Sequence, residues 1–543
     1  MTTRLRFTVT LVVAVFLHSA IGLATAKPAE KGTENSITPQ QAKWTDAKKT
    51  AVAWVDANRA RLTEVSRILW KYAEPGMLEY RSATLLGDAL EKEGFTLERG
   101  VAGMPTAFVA RYGSGKPVIG ILAEYDALGG LSQNAAPDRS PRIKGAAGHG
   151  CGHSLFGAGS VGAAMAVAKA IKDGKASGTV VLFGTPNEEG VVGKAYMARA
   201  GLFDDLDACL HWHPNDKNEI ETGESGNDLT SFMVAFYGQT AHSAGAPWKG
   251  RSALDAIELM GVMSNYYREH LHPSARIHYV IMEGGKAPNV VPDFAKAWFY
   301  LRGGTREMVD EMYDRMQKIA RAAALATDTR EELRLFTSIN HLRNNTEGAK
   351  VVHANLQLIG SPEFTEQEQA FARAIQKTLE IEEKGLATSI EPLKPFEERD
   401  LDHYIGSGST DVAEVSLITP TVGLNVASWV LGSPGHHWSV VACAGHSTGE
   451  KGMLVAAKVL AATALDIMQE PGTLAAMRDE FEKTMNGKKY LSSIPADVEP
   501  PTLPDPYENP GWEPGDLDYP TWSSFVWSDE ARRPEKSISS GRP

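Results

Sequence analysis

The chain has 543 residues, of which 43% are hydrophobic and 22% charged, with a formal net charge of -12 and a sequence pI near 5.7. That length suits two domains with cores of ordinary size. The acidic balance, with no basic block to neutralise phosphates, excludes nucleic acid as a partner. Three cysteines, Cys151, Cys209 and Cys443, are too few for a disulfide framework.

The N-terminus reads as an export signal. Arg4 and Arg6 precede a largely apolar run, Phe7 to Leu23, and Ala24-Thr25-Ala26 offers small residues for cleavage before Lys27. No later stretch is expected to span a bilayer. The mature protein is therefore expected to be periplasmic or secreted, and free of the membrane once the signal is removed. A polar lead-in follows. Apolar spacing then predicts one long helix over Gln41–Tyr72 and another over Met77–Glu93.

A strand is expected around Ala107–Tyr112, and the continuous apolar run Val118–Tyr125 reads as a buried parallel strand. Leu155–Ile171 is apolar and rich in Ala and Gly, as a core helix would be. Thr179–Gly184 and Ala208–His211 repeat the buried-strand texture. Strands alternating with helices predict an α/β sheet with ligands at the strand ends.

From about Asn227 the pattern changes to strand, helix, strand, strand, helix, with room for a last strand before His341–Asn345. This β-α-β-β-α order is that of a ferredoxin-like α+β module. Its expected elements are Leu229–Tyr237, Ala253–Arg268, Arg276–Met282, Ala295–Arg302 and Arg306–Thr327. Helices over Thr365–Ile381 and Lys451–Gln469 and a strand over Pro420–Val426 return to the first domain. Thr365 and Glu368 form a capping-box signature. The expected division is residues 1–26 signal, 27–227 first part of the α/β domain, 228–345 inserted module, 346–470 second part, and 471–543 tail. The Trp-, Pro- and acid-rich tail fits either disorder or an extended segment lying on the body.

Chemistry concentrates in Gly148-His149-Gly150-Cys151-Gly152-His153-Ser154. A thiol and an imidazole two residues apart, on a backbone freed by glycine, suit a single ion. Four further stretches sit at strand ends: Glu124-Tyr125-Asp126, Pro186-Asn187-Glu188-Glu189, His211-Trp212-His213 and His436-His437-Trp438. Two adjacent carboxylates repel unless a cation lies between them. A metal would resolve the conflict, with one glutamate as ligand and the other as general base to a metal-activated water. Asp126 suits a carboxylate that orients a ligand imidazole. Spacing alone leaves open which member of each histidine pair binds. His242, in the inserted module, is either a surface histidine or a donor to an oxyanion.

These blocks resemble the metal-dependent aminoacylase and carboxypeptidase-like amidohydrolases, a group that includes hippurate and auxin-conjugate hydrolases. Gly250-Arg-Ser-Ala-Leu-Asp-Ala256, Pro288-Asn-Val-Val291, Ser409-Thr-Asp411 and Lys451-Gly-Met453 extend the resemblance over residues 45–470. It implies a zinc-peptidase-like α/β catalytic domain interrupted by a small dimerisation or lid domain. It implies one or two divalent ions, zinc or manganese, held by Cys151, His153, Glu189, His213 and His436, with Glu188 as base. His242 and Asn289 fall at lid positions that reach a substrate, in the same or a neighbouring subunit, and Arg302 becomes a candidate for a substrate carboxylate. The implied partners are an identical or a paralogous subunit, and the implied substrate is an N-acyl amino acid amide such as p-aminobenzoyl-glutamate. A dipeptidase or aminoacylase of the same fold is the alternative. A non-catalytic exported binding protein is the alternative from another class. Ser154 departs from the Asp or Asn usual after Cys-Gly-His, but serine still suits a helix cap.

Overall fold

Val118–Ala123 is buried at all six positions because it lies inside a six-stranded sheet, flanked on both sides by parallel neighbours. The structure, a computed structural model, describes residues 41–396, 401 and 408–508. The expected signal segment and Trp512, Trp522 and Trp527 of the tail lie outside the described residues.

In chain order the first elements are α1 (Asp46–Ala57), α2 (Arg59–Tyr72), α3 (Tyr80–Lys92), β1 (Thr96–Arg99), β2 (Phe108–Ser114) and β3 (Val118–Ala123). The long helix expected over Gln41–Tyr72 is two helices. Asn58 leaves helical geometry at φ -101°, ψ 9°, and its side chain donates to Trp54 O at 2.9 Å, closing α1. Next come α4 (His153–Lys172), β4 (Gly178–Gly184), α5 (Gly193–Arg199), β5 (Ala208–Asn215) and β6 (Gly223–Ser225). The inserted module holds β7 (Asp228–Tyr237), α6 (Ala253–Arg268), β8 (Arg276–Glu283), β9 (Phe294–Gly303), α7 (Arg306–Thr327) and β10 (Arg330–Ile339). The return comprises β11 (Leu342–Asn344), α8 (Thr346–Ile359), α9 (Glu366–Thr378), α10 (Val412–Ser416), β12 (Thr421–Ala427), α11 (Trp438–Ala444), α12 (Ser447–Gln469) and α13 (Pro471–Met485). Thr365 and Glu368 form the expected capping box at α9.

The main sheet has the order β1-β2-β4-β3-β5-β12. Strands β4, β3, β5 and β12 are parallel, while β2 runs antiparallel to β4 and β1 antiparallel to β2, so the α/β sheet is mixed. Helices α1, α4 and α12 pack together on one face, where Phe156, Trp212 and Met453 join one continuous apolar core. Helices α4 and α12 are long and apolar enough to cross a membrane, contrary to the expectation that no such stretch follows the signal. Their apolar windows are 89% and 83% buried in the protein, which gives that surface another partner.

The module sheet has the order β10-β7-β9-β8, all antiparallel, which is the split β-α-β arrangement. Its two faces have different partners. Phe232, Phe299 and Met316 make a core with α6 and α7. Leu229, Met233, Ala235, Phe336 and Ile339 instead join Val191 and Met197 beside α5. Tyr196 on α5 donates its hydroxyl to Phe336 O at 2.7 Å. This second contact seats the module against the catalytic body.

Beyond Glu470 the described chain is helix α13 and then a segment that lies on the body. Arg199 donates to Pro495 O and Val498 O, Tyr80 donates to Leu503 O, and Tyr507 donates to Glu74 Oε1 at 2.5 Å.

Close packing of α4 on the end of β3 gives a stability test. A Cβ added to Gly157 would lie 2.8 Å from the backbone oxygen of Glu124. Gly157→Ala should destabilise the protein by about 1–3 kcal/mol through overpacking, read as a lower urea midpoint.

Candidate metal centre

Strand ends and one glycine-rich turn bring most of the chemistry-bearing side chains to the lining of one cavity of about 480 Å³, with Asp126 and His153 outside that lining. The chain leaving β3 carries Glu124 and Asp126, the chain leaving β4 carries Glu188 and Glu189, β5 itself carries His211 and His213, and His436 precedes α11. Cys151 and His153 arrive on the turn that opens α4. Gly152 sits there at φ +78°, and a Cβ on it would lie 3.0 Å from Pro214. Only glycine lets this turn press against the strand bearing His213. Gly152 is also the helix N-cap, so Ser154 lies inside α4, buried, and does not cap it as expected.

Cys151 Sγ is 3.3 Å from His213 Nε2, and His436 Nε2 is 3.2 Å from Glu189 Oε2. His153 uses Nδ1 toward Asp126 Oδ1 at 2.7 Å. Its buried Nε2 makes no hydrogen bond, although Glu124 Oε2 lies 3.1 Å away. The second oxygen of Asp126 accepts from Glu189 N at 2.9 Å. Donor atoms of Cys151, His153 and His213 all lie within 4.8 Å of one another. The same holds for Cys151, Glu189 and His436, and for Glu124, His153 and Glu188.

The electrostatics of this cluster favour a cation. Burial raises the Cys151 thiol well above its ordinary range, and Glu189 adds to the effect. Burial alone would depress His153, but Asp126, Cys151 and Glu124 overcome it and hold the imidazole well above its usual value. Burial, with Glu124 and Glu189, likewise raises Glu188. An anionic cluster therefore holds protons where a divalent ion would displace them. A thiol, three imidazoles and a carboxylate, with one buried imidazole nitrogen making no hydrogen bond, are a donor set that fits such an ion.

The histidine pairs left open by spacing separate in space. His211 lines the cavity but belongs to none of the three donor groups, and burial pushes it down to about 4. His437 caps α11, accepting from Ser439 N. His149 donates to Leu69 O at 3.0 Å, which ties the glycine-rich turn to α2.

The module adds to the cavity through Tyr300 and Arg302, on one face of β9, and through Leu229 and Ile339. Arg302 Nε is buried without a hydrogen-bond partner, and its guanidinium sits 5.6 Å from the Tyr300 ring centroid. His242 and Asn289 are not brought to the cavity. They lie on two module loops joined by backbone bonds, where Ser243 N donates to Asn289 O at 3.1 Å.

Sequence reasoning missed four residues. Lys194 is wholly buried on α5, with Nζ 2.7 Å from Glu124 Oε1 and 2.6 Å from Asp411 Oδ1. Glu79 accepts from Asn187 N at 2.8 Å and from Thr106 Oγ1 at 3.0 Å, so it fixes the turn that presents Glu188. Glu124 and Asp411 fell inside quoted blocks without a role. An isolated buried lysine or glutamate carries no local signal, since its partners lie far away in sequence.

Two outcomes follow. Asp126→Asn should weaken divalent-metal binding by about 10–100-fold, measured by calorimetric titration, because His153 loses the group that orients it. Burial, with Asp126 nearby, also holds the Glu79 carboxyl well above its ordinary value. A carboxyl raised in the folded state costs nothing below its unfolded pKa of about 4.3, and destabilises as pH rises through the folded value. Glu79→Gln should therefore improve urea stability more at pH 8 than at pH 5. An equal effect at both would mean that Glu79 ionises normally.

Residues 120–397 match peptidase family M20/M25/M40. The chain is 37% identical over 471 residues to one p-aminobenzoyl-glutamate hydrolase subunit of Escherichia coli, covering 83% of this chain and 98% of that protein. It is 27% identical over 489 residues to the Xaa-Arg dipeptidase of Mus musculus, covering 87% of this chain and 100% of that protein. The crystal structure of an aminobenzoyl-glutamate utilization protein from Klebsiella pneumoniae shares the fold, with a TM-score of 0.53 and 19% identity over 77% of this chain and 98% of that one. The chain belongs to peptidase family M20/M25/M40 and is a hydrolase of the amidohydrolase and peptidase type.

Proposed function

We propose that this protein hydrolyses the amide joining an acyl group to an amino acid, with p-aminobenzoyl-glutamate as the leading substrate. The observation that carries the reading is that half-buried Glu188 and half-buried Arg302 line one cavity together with Cys151, the residue that two donor triads share.

Cys151, His153 and His213 would hold one divalent ion, and Cys151, Glu189 and His436 a second, with zinc or manganese as the candidates. Ions there supply Lewis-acid polarisation of a carbonyl and lower the pKa of water. Glu188, raised by burial and by neighbouring carboxylates, is the base that takes a proton from the attacking water and returns it to the leaving nitrogen. Asp126 keeps His153 oriented. Arg302, with one nitrogen unpaired, offers its guanidinium to the carboxylate of the amino-acid half. Tyr300 beside it gives an aromatic wall. The dipeptidase alternative draws support from Glu221, an acidic group at the same cavity that suits a cationic side chain.

His242 and Asn289 would complete the site from a neighbouring subunit, identical or paralogous. Edge strand β8 exposes Val280 and Ile281, and α6 exposes Leu259, Val262 and Tyr266, an apolar surface that suits such a pairing. The N-terminal signal pattern supports a periplasmic or secreted location.

Glu188→Gln should retain bound metal and fold yet lower kcat by about 10²–10⁴-fold. The assay uses p-aminobenzoyl-glutamate beside a panel of N-acyl amino acids and dipeptides. Near-wild-type turnover by the variant would remove Glu188 from the mechanism, and metal binding without cleavage of any panel member would favour a binding protein.

A further inference from the structure

The three donor groups cannot all be used. His153 has committed Nδ1 to Asp126, so a single lone pair, on Nε2, remains for an ion. His153 belongs both to the Cys151–His213 group and to the Glu124–Glu188 group. An ion in the second group would turn Glu188 from a base into a ligand. Something must bias the ion toward the thiol side.

Lys194 stands where that bias would be applied. Its ammonium is buried at 0% side-chain exposure, 2.7 Å from Glu124 Oε1 and 2.6 Å from Asp411 Oδ1. Its backbone N–H donates to the other Asp411 oxygen at 2.8 Å, so both ends of the residue are tied to one carboxylate. A fixed positive charge against Glu124 consumes the negative charge that would attract a dication, and repels the dication itself. Among the described residues Cys151 and His213 contact each other, and His213 also contacts Pro214 O, with no lysine among these partners.

We propose that Lys194 is a positioning residue that withholds Glu124 from the metal centre, so that ions occupy the Cys151 triads and Glu188 stays free as the base. Through Asp411 the same ammonium anchors Ser409 and Thr410, which line the cavity wall. The proposal rests on the metal-centre reading above.

Cobalt(II) titration of the full chain tests it, because a thiolate ligand gives a charge-transfer band that oxygen and imidazole ligands do not. Wild type should develop this band with the first equivalent of cobalt. Lys194→Met should bind cobalt but lose most of the band at that stage, since the released Glu124 recruits the ion toward Glu188. Its kcat should fall with KM little changed. Lys194→Arg should retain the band, and Lys194→Met combined with Glu124→Gln should restore it. A wild-type band in Lys194→Met would overturn the proposal.

Removing a cation between two buried carboxylates can prevent folding, so Glu124→Gln provides a second arm. It should keep the wild-type cobalt stoichiometry and band. Loss of an ion in that variant would make Glu124 a ligand and sink the proposal. A wild type that binds no cobalt would instead defeat the metal-centre reading itself.

Discussion

The site depends on how the Asp126 carboxylate divides its two oxygens. One accepts from the His153 ring and the other from the backbone of Glu189. His153 belongs to one Cys151 triad and Glu189 to the other, so a single side chain leaving β3 sets their relative position. Burial would raise this carboxyl, but His153 and the Glu189 N–H overcome it and keep it below its ordinary value. A rigid, charged anchor of this kind is what a preorganised pair of ligands needs. The same buried cluster explains why Lys194 must be present: Glu124, Glu188 and Asp411 add further negative charge with no solvent to disperse it.

The inserted module is part of the cavity as well as an appendage. One face of its sheet packs on α6 and α7, and the other meets α5 and supplies Tyr300 and Arg302. Helix α5 therefore has two tasks. Tyr196 and Met197 hold the module, while Lys194 reaches into the carboxylate cluster. A displacement of the module would be felt at α5, and so at the groups that surround Glu188.

How much of this was legible followed from how local each signal is. Ala123-Glu-Tyr-Asp, Cys-Gly-His and Asn-Glu-Glu could be read because their ligands are neighbours in sequence and their strands are continuously apolar. Helices α6 and α7 were legible to the residue, and in the structure Ser252 and Thr305 cap their starts. The first helix was misjudged because a half-buried Asn58 interrupts the backbone without disturbing the apolar period. Helices α4 and α12 carry long apolar windows because the body of the protein covers them. Lys194, Glu79 and Asp411 were invisible as functional groups because their meaning lies in contacts across 27 to 217 residues. Spacing left the choice between His213 and His211, and between His436 and His437, open, and the resemblance supplied it; in the structure His213 and His436 join donor groups while His437 caps α11.

The central claim is that Cys151 is shared by two donor triads while Glu188 remains outside them. Anomalous diffraction from crystals of the metal-loaded protein tests this most directly. The account predicts peaks among Cys151, His153 and His213 and among Cys151, Glu189 and His436, with Glu188 uncoordinated. A peak held between Glu124 and Glu188, with Cys151 left unliganded, would contradict it.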